Sequence, residues 1–507
     1  MSFARAALVT TVLVAAGAGS FGLTYRWNEV RRQTAEEQAQ QTSAPAAPVQ
    51  PALPAAQEEM PAADPQRQAG LPTMPSPPPQ QPAAPPEQPQ PPGDNQQVED
   101  EEAADPVIVT PRPGTGAAAA RRGLTILHIG DSHTSADFLT GELRRRLQAR
   151  YGRGAPGYIT AGKPHIGVRT SSLNIQVSSG WSYKSLQRPE ARPAEFWLAG
   201  YSANASAAGE TMTFSADSAL TFDTIEIEAV AQRGGGSIEI KLDGKVEATQ
   251  DLKADRLEPI VIRLLPGRAA TEKVREISIV TTSAGAVNIA SVAIYNRRSG
   301  LTYNSIGYVG AQVSLLNKLD GKLFASDLQR LDPQIVVLSF GTNEASNEGL
   351  DVAAYGRTYS RVVDKIKEVL PDAVIVVISP PDFNEIPTHC RGNAEASCRR
   401  AGDATASIAP ATSGGSCAWH TPAKLQQVRD VQREIAQLEG LFYWNWASIM
   451  PRECGAHTWY TASPALMSKD HVHFTIAGYK KSAEQFLGTL IPIIEKVRVG
   501  AHAVPNN

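Results

Sequence analysis

No Phe, Trp or Tyr occurs between Trp27 and Phe138, and 20 of the chain's 37 prolines fall between Pro45 and Pro113. A stretch like this cannot bury enough apolar surface to offset the entropy of ordering it. It therefore divides the 507 residues into an N-terminal arm and about 380 residues, from near Arg122 onward, that must build the folded protein. That remainder is long enough for two domains with real cores. Residues 33–120 are rich in Pro, Ala and Gln, with an acidic cluster at Glu99, Asp100, Glu101 and Glu102. They read as a disordered, partly polyproline-like linker.

Residues 1–32 read as an export element. Arg5 precedes an apolar run from Ala6 to Tyr25, and Ala16-Gly17-Ala18 forms an A-x-A-like cleavage site. Twenty residues also just suffice to span a bilayer, so cleaved signal and membrane anchor both fit. Any membrane contact is confined to this segment, because no other run is long and apolar enough. Four cysteines, Cys390, Cys398, Cys417 and Cys454, are an even number in an exported chain and suggest two disulfides, with three pairings open. Zinc fits less well, since no C-x-x-C pair is present. A formal net charge of -3 argues against a nucleic-acid binder.

The folded part opens with Leu124–Ile129 (LTILHI), an apolar run of the kind buried on both faces of a parallel sheet. It ends at Gly130-Asp131-Ser132-His133, and a helix follows with Leu139, Leu143, Leu147 and Tyr151 on one face. Between residues 161 and 299 the pattern changes. Short runs at 211–214, 224–230, 237–242, 260–264, 276–281 and 287–295 alternate or are β-branched, separated by Gly, Asp and Ser clusters. They predict an inserted antiparallel sandwich. Strands at 335–340 and 373–379 and helices at 355–370, 425–438 and 476–497 then restore the α/β rhythm. The expected class is α/β, a parallel sheet flanked by helices at 121–160 and 300–500, interrupted by the β-rich insert.

Four short blocks carry chemistry. Ser132 sits where a buried strand meets a helix, the position from which a side chain enters the crevice of an open α/β sheet. A helix cap explains Asp-Ser equally well. Gly341-Thr342-Asn343-Glu344 follows the strand ending at Phe340, and an Asn amide there can donate to an oxyanion. Asp470 lies three residues before His473, close enough to fix the imidazole tautomer and leave Nε2 for a serine. A helix cap by Asp470 and a metal pair at His471 and His473 are the alternatives. Gly310, in Gly307-Tyr308-Val309-Gly310-Ala311, can bring a backbone N–H close to a reacting centre.

In this order the blocks resemble the SGNH, or GDSL-like, hydrolase family, over about residues 122–155 and 300–498. The resemblance implies a flavodoxin-like sheet, with Ser132 as nucleophile, His473 as general base and then acid, and Asp470 as its orienter. It implies an oxyanion hole made by the backbone N–H groups of Ser132 and Gly310 and the side-chain amide of Asn343. Two departures stand out: GDSH replaces GDSL, and Val309 precedes the oxyanion glycine where many members have Asn. Export, GDSH, the insert and GTNE together look like peptidoglycan O-acetylesterases of the Ape type. That finer resemblance implies a carbohydrate-binding-like insert, an O-acetylated peptidoglycan substrate and no metal or organic cofactor. An O-acetyltransferase with the same triad and an inactive tethered glycan-binding protein are the competing expectations. Trp181, Trp197 and Tyr201 suit either sugar stacking or the core of the sandwich.

Overall fold

The computed structural model describes residues 107–109, 123–220, 222–264, 274–387, 390, 397–399 and 417–502. The N-terminal apolar run and nearly all of the expected linker lie outside them. Within the linker stretch, Val107–Val109 pairs in parallel with Glu258–Leu264. Among the described residues, no helix is long and apolar enough to cross a membrane.

A five-stranded parallel sheet runs in the order Leu301–Gly307, Leu124–Gly130, Ile335–Ser339, Val374–Ile378 and Phe442–Trp444. Its central strands are dominated by Val, Ile and Leu because both faces are covered. On one face Ile126, Val337 and Val376 pack with the helices Phe138–Tyr151 and Ile476–His502. On the other, Leu127, Val336 and Val377 pack with Gly321–Leu331, Val352–Val369 and Leu425–Glu439. Val352–Val369 starts earlier than its apolar period implies, because the Asp351 carboxylate caps the N–H groups of Ala353 and Ala354. Leu301–Gly307 escaped the apolar pattern for a physical reason. Its Asn304 is buried and bonded, accepting from the Tyr158 N–H (2.8 Å) and donating to the Ile126 carbonyl (3.2 Å).

Residues 157–295 supply two further sheets, antiparallel except where Val107–Val109 adds a parallel edge strand to the larger one. The seven-stranded one centres on Val287–Tyr295 and Thr224–Ala231. The five-stranded one runs Lys245–Asp251, Ser237–Leu242, Val274–Thr281, Thr211–Leu220, Asn174–Val177. Ile225, Ile227 and Ile289 from the first interdigitate with Phe214, Ile240 and Ile279 from the second. Gly157–Thr160, within the first hydrolase segment expected from sequence, pairs with Val287–Tyr295 of the sandwich. Trp181, Trp197 and Tyr201 are 7%, 0% and 5% exposed, so they pack inside and offer no face to a sugar.

The outer face of the seven-stranded sheet is welded to the hydrolase by buried charge. Glu226 pairs with Arg330 (2.9 Å) and Arg263 (2.7 Å), while Glu228 pairs with Arg330 (2.5 Å) and accepts from Tyr158 and Ser291 at 2.6 Å each. Arg330 and Asp327, also in contact, belong to the helix Gly321–Leu331. Burying such charges is costly unless each is paired, so removal of either partner destabilises the seam. Two disulfides, Cys390–Cys417 and Cys398–Cys454, resolve the pairing that spacing leaves open.

Candidate active site

Leu124–Gly130 ends in a turn so close that only glycine fits: a Cβ on Gly130 would lie 2.2 Å from Thr134 Oγ1 and 2.5 Å from the Ser339 carbonyl. Asp131 then caps the single helical turn Ser132–Ser135 by accepting from the His133 N–H (3.0 Å). Burial raises the Asp131 carboxyl to about 6 despite those bonds from His133 and Thr342. The cap thereby aims Ser132 away from the sheet, at the carboxyl ends of its strands, where ligands bind in this architecture.

The loop that opens the last helix brings His473 to it. His473 Nε2 lies 2.9 Å from Ser132 Oγ, and Nδ1 lies 2.7 Å from Asp470 Oδ2. The other oxygen of Asp470 accepts the N–H groups of Val472 (3.0 Å) and His473 (2.9 Å), so the carboxylate holds both ring and backbone. Partial burial disfavours the Asp470 anion, but the bond and charge of His473 and these N–H groups outweigh it and lower its pKa. For His473, desolvation opposes protonation. The bond to Asp470, its charge and that of Asp131 prevail, and the pKa is raised. An imidazole fixed in this way can take a proton from the hydroxyl it faces.

His471 does not join His473 in a metal pair. Its backbone is left-handed (φ 55°), its Nε2 meets His457 Nδ1 at 3.2 Å, and its ring stacks on Trp419 at 3.7 Å. The GDSH departure is explained by packing. His133 is buried within 5.2 to 6.0 Å (ring centroids) of His473, Trp446, Phe474 and Tyr479, and its Nδ1 pairs with the Tyr479 hydroxyl at 3.0 Å. Burial lowers its pKa to about 3, so it stays a neutral ring behind His473.

Two further loops carry the expected oxyanion donors and are tied to each other. Gly310 is exposed and left-handed (φ 71°), and the Asn343 amide donates to the next residue's carbonyl, Ala311 O, at 2.9 Å. Glu344 clamps the same loops by accepting the Val313 N–H at 2.7 Å. The GTNE block shows that Glu in sequence, but nothing in its spacing reveals the clamp.

The sandwich reaches the Gly310 loop as well, and no sequence signal showed it. Gln187 Nε2 donates to the Val309 carbonyl (3.0 Å), Tyr308 donates to Leu198 O, and Gly167 abuts the Val309 side chain. Val309, the second departure from the family pattern, is therefore where the insert grips the Gly310 loop.

Residues 288–481 match the model of the GDSL-like lipase/acylhydrolase family. Ser132 lies upstream of the match because the sandwich separates it from the rest. A solved structure of a peptidoglycan O-acetylesterase aligns over 74% of this chain and 92% of its own, at 24% identity with a TM-score of 0.57, and so shares the fold. Family-two carbohydrate esterases from Clostridium thermocellum and Cellvibrio japonicus align at 11% and 13% identity. They cover 63% and 68% of this chain and 98% and 99% of theirs, and each has a TM-score of 0.25, too low to argue from. No curated protein matches the chain in sequence. Over residues 288–481 the chain is similar to the GDSL-like lipase/acylhydrolase family, and it has the fold of an SGNH-type esterase, interrupted in sequence by a β-sandwich.

Proposed function

We propose that this is an exported carbohydrate esterase that removes O-acetyl groups from a cell-envelope glycan, peptidoglycan, through an acyl-Ser132 intermediate. The observation that carries it is the continuous chain from Asp470 through His473 to Ser132, at 2.7 and 2.9 Å, at the carboxyl end of a parallel sheet. The shared fold of a peptidoglycan O-acetylesterase supports the substrate, and two disulfides support an oxidising compartment.

Ser132 Oγ attacks the ester carbonyl carbon as its proton passes to His473 Nε2. The oxyanion is met by the N–H groups of Ser132 and Gly310 and by the Asn343 amide, whose second N–H is not used by Ala311. Collapse breaks the bond to the sugar oxygen, which takes the proton from His473. Water, deprotonated by His473, then attacks the acyl-serine, and acetate leaves as the proton returns to Ser132.

Acetate release from O-acetylated peptidoglycan, measured beside a small acetyl ester, tests the substrate. Turnover of the small ester with none of the glycan would keep the esterase and exclude peptidoglycan. Asn343→Ala lowers kcat by about two to three orders of magnitude with little change in KM, since the oxyanion exists only after attack. A rise in KM alone would make Asn343 a substrate contact. Gln187→Ala lowers kcat on the small ester by about tenfold, because the Gly310 loop loses its tether and small displacements of a catalytic group are costly. Steady-state kinetics with thermal melting separates that from unfolding.

A further inference from the structure

Beside the Ser132 turn, where the sandwich meets the hydrolase, lies a cavity of about 470 Å³. One loop of the insert, residues 163–170, supplies much of its wall, including Lys163, His165 and Arg169. That loop is in fixed register with Ser132. The Ser135 hydroxyl donates to the Gly167 carbonyl (2.9 Å), and the Arg169 N–H donates to the Ser135 carbonyl (2.9 Å). The cavity therefore begins within about one helical turn of Ser132, on the order of 5 Å.

Its charge is unbalanced. Asp137 is the only acid among the lining residues, and it is fully engaged. Arg144 forks onto both its oxygens at 2.9 and 3.0 Å, while Thr140 and Ser171 also donate to it. Lys163 and Arg169 are exposed and have no carboxylate partner among the described residues. The Arg169 side chain is nevertheless held in place: its Nε donates to the Ile166 carbonyl (3.0 Å) and its guanidinium lies 5.4 Å from the Phe138 ring centroid. Its remaining N–H groups are preorganised for an anion. His165 Nδ1 accepts the Gly167 N–H (2.9 Å), which leaves Nε2 as a donor in the neutral ring.

We propose that this cavity is a subsite for a carboxylate of an acidic glycan whose acetyl ester lies at Ser132, with Lys163 and Arg169 as its charged contacts. The inference rests on the esterase reading and adds to it the residues that would distinguish an acidic glycan from a neutral one. It also gives the insert a role that buried Trp181, Trp197 and Tyr201 do not supply.

The test compares the full chain with the double variant Lys163→Ala/Arg169→Ala on three esters: O-acetylated peptidoglycan, acetylated xylan as a neutral glycan, and a small acetyl ester. KM for peptidoglycan should rise about tenfold or more, as expected for loss of two charge-assisted contacts. Xylan and the small ester should be unaffected. Raising the salt should weaken the wild type on peptidoglycan more than the double variant. Repeating the assay on peptidoglycan stripped of its peptides locates the carboxylate: persistence of the effect puts it on the sugar, loss on the peptide. Equal KM for wild type and variant on peptidoglycan would overturn the proposal. So would a matching loss on the small ester with an intact fold, which would make the loop a brace. A wild type inactive on every ester would fail the esterase reading instead. Sedimentation of the Ser132→Ala chain, with and without the two loop substitutions, on peptidoglycan would still test the subsite by binding alone.

Discussion

Ser132→Ala removes at least about four orders of magnitude of kcat on a small acetyl ester and leaves the protein folded. The size of the loss follows from the one hydroxyl that His473 Nε2 is bonded to among the described residues, Ser132 Oγ at 2.9 Å, without which the acyl intermediate does not form. The fold survives because the turn is held by backbone groups. The Ser132 carbonyl still accepts from Ala136 (3.2 Å), Asp131 still caps His133, and His473 is still fastened to Asp470. Thermal melting should shift little, as for other partly exposed hydroxyls outside the core. Turnover within tenfold of wild type, with acylation at another residue, would sink the assignment. Mass spectrometry after a pulse of slow ester reads this directly, showing an acyl adduct on wild type and none on the variant.

Much of the fold was legible because burial on both faces leaves a plain signature. Val374–Ile378 is apolar throughout, Ile335–Ser339 up to its last residue, and Leu124–Gly130 is mostly apolar, with Thr125 and the buried His128 as exceptions. Leu301–Gly307 was not, because its Thr302 and Asn304 are buried, Asn304 against backbone groups that no local pattern displays. Thr224–Ala231 hides a harder case. Its Glu226 and Glu228 look like the wet face of an alternating strand, yet both are 0% exposed because Arg330, about a hundred residues later, neutralises them.

The candidate site divides in the same way. Ser132, Asn343, Asp470 and His473 stand in short blocks whose spacing already implies their geometry. The supporting contacts do not. Gln187 on Val309, Glu344 on Val313 and His133 behind His473 each join residues far apart in the chain or use an ordinary-looking side chain. A departure from the family pattern was the only hint: GDSH marks an aromatic box, and Val309 marks the point where the insert touches the Gly310 loop.

Asp470→Asn carries the other large effect, and it has two separable parts. The first is the tautomer. An ionised Asp470 accepts from His473 Nδ1, which leaves Nε2 free to accept the Ser132 proton. An asparagine can turn its amide N–H toward Nδ1 and thereby put the proton on Nε2, where it blocks the base. A comparable change in other serine hydrolases costs about four orders of magnitude in kcat. The second is the pH profile. Desolvation disfavours the charged His473 ring, but the Asp470 bond and charge, helped by Asp131, raise its pKa above the ordinary value. The base works only when neutral, so kcat/KM in the wild type falls as pH drops through that raised pKa, with a midpoint above the usual histidine value of about 6.5. Without the Asp470 charge, desolvation dominates and the acid limb of the residual activity moves to lower pH. The loop itself should hold, since an asparagine oxygen can still accept from the Val472 and His473 N–H groups. A pH–rate profile of both proteins on one small ester reads the two parts together. An acid limb that stays in place, or activity within tenfold of wild type, would show that Asp470 only caps the loop and does not orient the base.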